Sequence, residues 1–338
     1  MSDPVPSHPF DLALSFLGDG LRRDEPMGPL CTYRVGGHAA RFIEVESVEQ
    51  LKRIAEGIAT ADVDRDEAAS RVYVVGKGSN LLVAERGLPG LVLRLGAEFD
   101  EIDIPEERGS EPVEQAATVV VTVGGAASLP VVARRTVAAG LGGFEWAVGV
   151  PGSIGGAVRM NAGGHGADMS SVLDRVRVVN LLTGEDVWVE AQELELGYRR
   201  SSLLATDVVT QAELSLVRSD PQAGDSKLKE IVRWRRENQP GGANAGSVFT
   251  NPSGKSAGQL IDEAGCKGLR LGTAAVSDKH ANFIQADIGG SADDVVAVMK
   301  EVIRRVEDHS GYRLHPETVL LGFDEVWPSG EASVNSDG

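Results

Sequence analysis

The chain has 338 residues, of which 42% are hydrophobic, 25% charged and 5% aromatic. This composition is typical of a globular protein and excludes a disordered, coiled-coil or fibrous chain. The 33 Lys and Arg residues against 50 Asp and Glu residues give a net charge of −17, which disfavours nucleic acid as a partner because nucleic-acid-binding proteins neutralise phosphates with a basic surface.

The sequence shows no signal for membrane insertion or secretion. No segment approaches the roughly 18 consecutive apolar residues of a membrane helix, and the first residues, MSDPVPSHPF, lack the apolar core of a signal peptide. We therefore expect a cytoplasmic protein without a membrane partner. Cys31 and Cys266 are expected to be reduced thiols, and the scattered Cys and His residues predict no metal site.

Apolar runs and turn residues predict short strands and helices in mixed order. Strands are predicted at 42–46, 72–75, 91–95 and 118–123, with a hairpin over 176–190. Capping residues and helical spacing predict helices from Val48 to Ile58, Ser128 to Gly140, Leu228 to Arg236, Gly258 to Ala264 and Ser291 to Glu307. The last helix carries an apolar stripe on one face, formed by Val295, Val298, Met299, Val302 and Val306.

Segments without these signals are expected to be loops, tails or boundaries. Residues 60–70 and the acidic stretch containing PEERGSEP are predicted as loops, 1–20 and 325–338 as weakly ordered tails, and 219–226 (SDPQAGDS) as an interior domain boundary. Because strands and helices follow one another without a βαβ rhythm, the predicted fold class is α+β in two or three parts rather than a doubly wound sheet.

Glycine is frequent, at 41 residues, and three glycine-rich segments stand out in the first two-thirds of the chain: 34–37 (RVGG), 76–80 (GKGSN) and 149–157 (GVPGSIGGA). Glycine permits positive φ and close approach, so consecutive amides can point into one concavity that binds phosphate oxygens. Ser79 and Asn80 can add side-chain hydrogen bonds. The alternative is that each segment is only a tight turn. Neither GxGxxG nor GxxxxGK[ST] fits, so the pattern favours a diphosphate cofactor held by another fold.

A resemblance to a known family is carried by seven segments in chain order. They are TYRVGG (32–37), VVGKGSNLLV (74–83), GFEWAVGVPGSIGGAVRMNAG (143–163), GYRRS (197–201), NAGSVFTNP (244–252), KGLRLGTAAVSDKHANFI (267–284) and HPETVLLG (315–322). Together they resemble the UDP-N-acetylenolpyruvoylglucosamine reductase family over residues 30 to 322. The resemblance implies a bipartite FAD-binding region of the vanillyl-alcohol-oxidase type, with subdomains at 21–90 and 91–220, and an α+β substrate-binding domain at 221–324.

The implied reaction is the FAD-dependent reduction, by NADPH, of the enolpyruvyl ether of UDP-N-acetylglucosamine to UDP-N-acetylmuramate for peptidoglycan. Hydride adds to the methylene carbon and a proton to the adjacent carbon, so the site needs a cation on the carboxylate, a proton donor and exclusion of water. The family's catalytic positions fall on Arg199, Ser247 and Glu317.

The resemblance implies a separate role for each catalytic position. Arg199 would bind the carboxylate and Ser247 would donate the proton. Glu317 would polarise the substrate carboxylate if protonated, or orient the donor if ionised. The alternatives are a solvated arginine, a turn hydroxyl and a surface acid.

The resemblance also implies binding residues. Substrate positions are Tyr198, Arg236, Asn251 and His280, with a structural histidine an equal alternative for the last. Where many relatives carry a lysine, Asn238 removes a cation near the substrate diphosphate, and Lys255 is the nearest substitute. The cofactor positions are Tyr33, Arg34, Gly36, Gly76, Lys77, Gly78, Ser79, Asn80, Gly149, Gly152, Ser153, Gly155, Gly156 and Ala157.

Two departures define the subtype. Only 47 residues separate Arg199 from Ser247 and none is tyrosine, so the chain resembles the shorter members, which lack a tyrosine-bearing loop over the substrate. Some relatives link flavin covalently through a histidine in a glycine-rich loop, and Ser79 lies in that loop here, so non-covalent FAD is expected. We also expect a monomer. The competing hypotheses are a sugar-lactone or hydroxy-acid oxidase of the same fold and a flavin- or nucleotide-binding module without catalysis.

Overall fold

The computed structural model of this chain describes residues 9–61, 64–105 and 118–323. The α-helices are α1 (Pro9–Ala13), α2 (Val48–Thr60), α3 (Arg65–Ser70), α4 (Leu129–Ala138), α5 (Ile154–Arg159), α6 (Pro221–Asn238), α7 (Ala257–Glu263) and α8 (Ala292–Ser310). The strands up to the middle of the chain are β1 (Arg22–Pro26), β2 (His38–Val45), β3 (Val72–Val74), β4 (Leu81–Val83), β5 (Leu88–Leu95), β6 (Ile102–Asp103), β7 (Thr118–Gly124) and β8 (Leu141–Gly142). The remaining strands are β9 (Gly163–Gly164), β10 (Ala167–Asp168), β11 (Leu173–Asn180), β12 (Asp186–Glu190), β13 (Asp207–Arg218), β14 (Arg270–Leu271), β15 (Ala274–Val276), β16 (Ile284–Ala286) and β17 (Val319–Leu321). This mixture of helices and strands confirms the α+β prediction.

The described residues cluster into two compact units that are interleaved along the chain. The first unit draws on the described residues within 1–23, 41–77 and 90–234, and the second on those within 24–40, 78–89 and 235–338. The predicted domains were contiguous, at 21–90, 91–220 and 221–324, so their boundaries stay a prediction that this clustering does not follow. The segment 24–40 and the segment 78–89 group with the C-terminal third of the chain.

Three of the sheets formed by the described residues lie wholly or mainly in the first unit. One has the order β1-β2-β5-β3, the larger has the order β12-β11-β13-β7-β6 with β8 also paired to β13, and β9 and β10 form a two-stranded pair. In the larger sheet the neighbours of β13 are antiparallel, with Val178 opposite Val209 and Ala212 opposite Val123. The apolar faces of these strands bury a core with α4 and α5, because alternate side chains of a strand point to opposite faces.

The second unit is built on a small antiparallel sheet, β14-β15-β16, and on the parallel pair β17-β4. Helix α8 supplies much of its core. The helix is capped by Ser291, whose Oγ accepts from the Asp293 amide at 3.1 Å, and is followed by Gly311 with φ 74°. The predicted apolar stripe of this helix is confirmed, since all five of its side chains are buried.

Other local predictions are also confirmed. Helix α2 is capped by Ser47, whose Oγ accepts from the Gln50 amide at 3.1 Å, and β11 and β12 form the predicted antiparallel hairpin. Cys31 and Cys266 are free and buried, and burial raises the pKa of the Cys31 thiol to about 11. Among the described residues, no helix combines the length and apolarity needed to cross a bilayer.

Three expectations do not hold. The predicted loop at 60–70 contains α3, because Asp64 caps it by accepting from the Glu67 amide at 2.8 Å. The polar stretch 219–226 is the start of α6, because Pro221 suits a first helical turn. Residues 9–20 of the expected N-terminal tail are ordered, because Phe10 and Leu14 are fully buried in the first unit. The predicted C-terminal tail and most of PEERGSEP lie outside the described residues.

Candidate active site

A glycine-lined cavity of about 320 Å³ lies within the first unit. Most of its lining residues lie just after β3, β5 and β7, in and just before α5, and at the start of β13. Five predicted cofactor residues line it: Gly76, Lys77, Ser153, Gly155 and Gly156. The segments 76–80 and 149–157, singled out separately in the sequence, therefore meet at one cavity.

Missing side chains let the walls of this cavity approach each other. A Cβ at Gly125 would lie 1.9 Å from the Val209 carbonyl oxygen, and one at Gly76 would lie 2.5 Å from Ser153 Oγ. A Cβ at Gly155 would lie 3.2 Å from the carbonyl oxygens of Gly125 and Val209. Glycine is required at Gly125 because main-chain atoms of β13 occupy the space of any side chain.

The amides of the two glycine segments differ in availability. The Gly155 amide donates to the Gly125 carbonyl at 2.8 Å, and the Gly156 amide to Ser153 Oγ at 3.4 Å. Within the described residues, the amides of Gly76 and Lys77 donate to no main-chain carbonyl. Consecutive amides of this kind attract phosphate oxygens. The amides of the 76–77 turn are available for such a contact, while the 153–156 turn shapes the wall.

Charged side chains of both signs also line the cavity. Arg94 Nη2 contacts Glu44 Oε2 at 2.7 Å, and Lys77 Nζ lies 3.9 Å from Asp100 Oδ1. Arg159 lies at the end of α5, where burial lowers its pKa and the Asp207 carboxylate opposes that shift. The paired charges give the lining both donors and acceptors for a polar cofactor.

Arg199 lies on an irregular segment of the first unit, between a short 3-10 helix at Ala191–Leu194 and strand β13. Its φ of 57° is left-handed, and Nη2 donates to the Gly163 carbonyl at 3.2 Å. The guanidinium lies over the ring of Tyr198, 5.2 Å from its centroid, and that tyrosine is 58% exposed. Two predicted residues are thus adjacent, with Arg199 half-buried and Tyr198 exposed.

In the second unit, main-chain hydrogen bonds bring Ser247 and Glu317 into neighbouring segments. The Glu317 amide donates to the Val248 carbonyl at 2.7 Å, and the Val248 amide donates to the Asn282 carbonyl at 2.9 Å. Asn80 Nδ2 donates to the Glu317 carbonyl at 2.9 Å. Three predicted residues, distant in sequence, are therefore gathered at one place in this unit.

The environment of Ser247 leaves its hydroxyl available. The residue is half-buried, and its hydroxyl has no hydrogen-bond partner in the described part of the chain. The preceding Gly246 has φ 78°, and its amide donates to Asn244 Oδ1 at 3.0 Å. This tight turn fixes the serine backbone because only glycine adopts that φ without strain.

The remaining predicted cofactor residues lie mainly in the second unit. Segment 32–37 contacts the GKGSN segment directly, since the Thr32 amide donates to the Gly78 carbonyl at 3.0 Å. A Cβ at Gly78 would lie 2.1 Å from the Leu30 carbonyl oxygen, and one at Gly36 would lie 2.6 Å from that of Val83. Tyr33 is fully buried, which raises the pKa of its hydroxyl. The other predicted residues of this group are Arg34, which is exposed, and Ser79, which is half-buried.

The predicted substrate residues of the second unit are separately held. Asn251 Oδ1 accepts from the Ala257 amide at 2.9 Å, at the start of α7. His280 Nδ1 accepts from the Asn282 amide at 3.3 Å, and burial lowers the pKa of the ring. Arg236 is exposed. The structure gives Asn251 and His280 structural contacts and leaves their substrate roles as predictions.

Sequence reasoning missed part of the cavity wall. Gly149, Gly152 and Ala157 are not among the lining residues, and Ala157 belongs to the buried core. The Gly124–Gly125 pair, which directly follows the TVVVTV strand, carries the same glycine-after-strand signal as GKGSN. No local signal marks the remaining lining residues, which include Glu44, Arg94, Gly96, Ala126, Arg159, Leu203 and Asp207.

Comparison with known proteins identifies the family. Residues 39–190 match the model of an FAD binding domain, and residues 238–321 match that of the UDP-N-acetylenolpyruvoylglucosamine reductase C-terminal domain. A reductase of this name from Symbiobacterium thermophilum is 37% identical, with 91% of this chain and 94% of that protein aligned. The chain belongs to the UDP-N-acetylenolpyruvoylglucosamine reductase family.

Further relatives of the UDP-N-acetylenolpyruvoylglucosamine reductase family agree. The Bacillus subtilis reductase is 34% identical, with 88% of this chain and 93% of that protein aligned. The crystal structure of the Thermus caldophilus reductase is 34% identical and superposes with a TM-score of 0.71, covering 89% of this chain and 99% of that one. The predictions of the family, of the FAD-binding fold and of a flavin-dependent reductase are confirmed.

The structure fits FAD as the family's cofactor. Most of the residues that line the cavity fall within the FAD-domain match. Gly125 contributes no side chain to its wall, and the amides of Gly76 and Lys77 donate to no main-chain carbonyl in the described residues. These are the features that a dinucleotide diphosphate needs.

Proposed function

We propose that this chain reduces the enolpyruvyl ether of UDP-N-acetylglucosamine to UDP-N-acetylmuramate in peptidoglycan precursor synthesis, with NADPH as reductant. The observation that carries the proposal is a glycine-lined cavity within the FAD-domain match, together with an available Ser247 hydroxyl within the C-terminal-domain match, where the next residue, Val248, accepts from the Glu317 amide. We also propose the cytoplasm as its location, because both substrates are water-soluble nucleotides. A monomer is proposed as its oligomeric state.

FAD would be held non-covalently, with Gly76, Lys77 and Ser153 among its contacts in the first unit. When bound and reduced, it supplies the hydride that adds to the methylene carbon. The other steps belong to the protein's own side chains, which must neutralise the substrate carboxylate and deliver one proton to the adjacent carbon.

Arg199 binds the substrate carboxylate. A guanidinium offers two parallel donors to a carboxylate and keeps its charge at any physiological pH. Its position over the Tyr198 ring leaves the pair open to a ligand. The bound cation stabilises the negative charge that develops on the substrate after hydride addition.

Ser247 donates its hydroxyl proton to the carbon that carries the ether oxygen, and a solvent proton then restores the hydroxyl. The hydroxyl is suited to this role because it has no competing partner among the described residues and its backbone is held at Gly246 and Val248. Glu317, anchored to Val248 through its amide, either polarises the carboxylate when protonated or orients the serine when ionised.

The test is an anaerobic flavin titration of the purified protein. NADPH should bleach the yellow absorption, and the enolpyruvyl nucleotide should restore it. In Ser247→Ala the bleaching should proceed as in the parent, whereas recovery should slow by roughly 10²- to 10⁴-fold, the usual contribution of a general acid. Ser253→Ala, which removes an exposed hydroxyl nearby in the sequence, is the matched control and should recover at the parental rate.

Two results contradict the proposal. Recovery of Ser247→Ala at the parental rate would remove the serine from the proton transfer. Rapid reoxidation of the parent by oxygen with an alcohol substrate, without any response to the enolpyruvyl nucleotide, would favour the oxidase hypothesis instead.

A further inference from the structure

The end of α5 forms one wall of the glycine-lined cavity and also holds the segment that carries Arg199. Arg159, the last residue of α5, lines the cavity. Its Nη1 donates to the carbonyl oxygens of Leu203 at 3.2 Å and Leu204 at 2.5 Å. One side chain therefore joins the cavity wall to the C-terminal side of the Arg199 segment.

The N-terminal side of the same segment is held from the adjoining turn. Asn161 Nδ2 donates to the Gly197 carbonyl at 3.0 Å, and its Oδ1 accepts from the Ser170 amide at 2.9 Å. Ser201 Oγ donates to the main-chain oxygen of Arg159 at 2.7 Å. Contacts from 159–161 thus reach the segment on both sides of Arg199.

Asp207 also forms a hydrogen bond with the main chain of Leu204. Its Oδ2 accepts from the Leu204 amide at 2.7 Å, while Arg159 binds the carbonyl of the same residue. Asp207 also accepts from Asn180 Nδ2 at 2.6 Å, which ties it to β11. Because both main-chain polar groups of Leu204 are held, this part of the segment has little freedom to move.

The segment needs external support because it has no regular structure of its own. Residues 195–206 form neither a helix nor a strand. The only β-type pairing within that range is an isolated antiparallel bridge between Gly197 and Arg200. Arg199 is held at φ 57°, a conformation that non-glycine residues keep only when their surroundings impose it.

We propose that Arg159 is a positioning residue, which fixes Arg199 for the substrate carboxylate from the wall of the cofactor cavity. This inference rests on the proposed function, because Arg199 has a carboxylate to bind only in that reaction. Small displacements of a binding group can reduce a rate by about 100-fold. The loss of Arg159 should therefore slow the step that uses the enolpyruvyl substrate more than it slows the reduction of the flavin by NADPH.

The first experiment separates the two half-reactions by stopped-flow absorption of the holoenzyme. Arg159→Met keeps an unbranched apolar stem without the guanidinium. It should recover with the enolpyruvyl nucleotide about 10- to 100-fold more slowly, a larger loss than in its bleaching by NADPH, with Arg159→Lys in between. The matched control is Arg134→Met, because Arg134 Nη1 also donates to a main-chain carbonyl, that of Pro130 at 2.9 Å, on the exposed face of α4. It should match the parent in both half-reactions.

The second experiment is a double-mutant cycle with Arg199→Ala. If Arg159 acts through Arg199, Arg159→Met should change the recovery rate less than about threefold once Arg199 is gone, because coupled residues are non-additive. The same fold-change in both backgrounds, or an equal loss in the NADPH half-reaction, overturns the proposal. Should Arg159→Met not fold, Ser201→Ala replaces it in the same cycle, with the same coupling expected.

Failure of the proposed function gives a different result from failure of this inference. If the parent itself is bleached by NADPH but is not reoxidised by the enolpyruvyl nucleotide, the proposed function is wrong. If the parent recovers and the cycle is additive, the function stands and Arg159 is not a positioning residue.

Discussion

The close approach at Gly125 provides a sharp test of how the glycine-lined cavity is built. A methyl group at Gly125 would lie 1.9 Å from the Val209 carbonyl oxygen, whereas ordinary contacts begin at 3.4 Å. The obstructing atom belongs to the main chain of β13, so no side-chain rotation relieves the overlap. We therefore expect Gly125→Ala to displace either the turn after β7 or the start of β13.

The magnitude follows from the overlap and from the hydrogen bonds that the displacement strains. Overpacking typically costs about 1–3 kcal/mol. The Gly125 amide donates to the Thr210 carbonyl, and its own carbonyl accepts from the Gly155 amide, both at 2.8 Å; weakening each adds about 1 kcal/mol. Together these give a loss of about 3–5 kcal/mol, which corresponds to a fall of roughly 6–20 °C in Tm for a unit of this size.

The matched control is Gly156→Ala in the same cavity. A methyl group there would have Ser153 Oγ as its nearest neighbour, at 3.4 Å, and alanine favours a helix such as α5 by about 0.5–1 kcal/mol relative to glycine. Thermal unfolding and the flavin-to-protein absorbance ratio should show Gly125→Ala unstable and depleted of flavin, and Gly156→Ala as stable as the parent. A Gly125→Ala variant with parental Tm and flavin content would refute the reasoning.

Three further predictions concern stability, all measured by denaturant unfolding. Asp186 is 10% exposed, and the Arg177 guanidinium is the main cause that lowers the pKa of its carboxyl to about 2. Its stabilisation, up to about 2 kcal/mol, should be present above pH 4 and be lost as the pH falls toward 2. Asp186→Asn should lower the free energy of unfolding by that amount at pH 7 and reduce its dependence on pH below about pH 4. Asp262→Asn, which removes the carboxylate of an exposed ion pair with Lys267, is the control and should show neither effect. In α8, Met299→Ala should cost about 2–5 kcal/mol, because the side chain is fully buried. Ile288→Ala, at a fully exposed position, should stay within about 0.5 kcal/mol; equal effects at these two positions would contradict the core assignment.

The elements that were predictable from sequence are those whose signals are local. Ser47 lies directly before the apolar spacing of α2, and Gly311 directly follows the apolar stripe of α8, so capping and periodicity sit within a few residues of each helix. The hairpin of β11 and β12 is likewise set by a turn around Gly184. In these places neighbours along the chain supply the contacts that fix the structure.

The wrong expectations arose where distant residues decide the structure. The polar segment 219–226 reads as a boundary, yet it begins a helix whose Leu228 and Ile231 are buried in the first unit. Residues 9–20 look like a tail, yet Phe10 and Leu14 reach the core. Burial against remote elements outweighs weak local propensity, because the free energy of removing apolar area from water depends on tertiary contacts.

The sequence by itself determined the glycine clusters and the α+β class, because these rest on residue types at short spacing, and its resemblance to the family supplied the candidate catalytic residues. Only the tertiary structure decided which amides of those clusters are available, that Gly125 belongs to the same cavity, and that Arg159 reaches the segment carrying Arg199. The physical reason is that an amide or a guanidinium finds its partner in space. Here those partners lie in strands and turns far away along the chain.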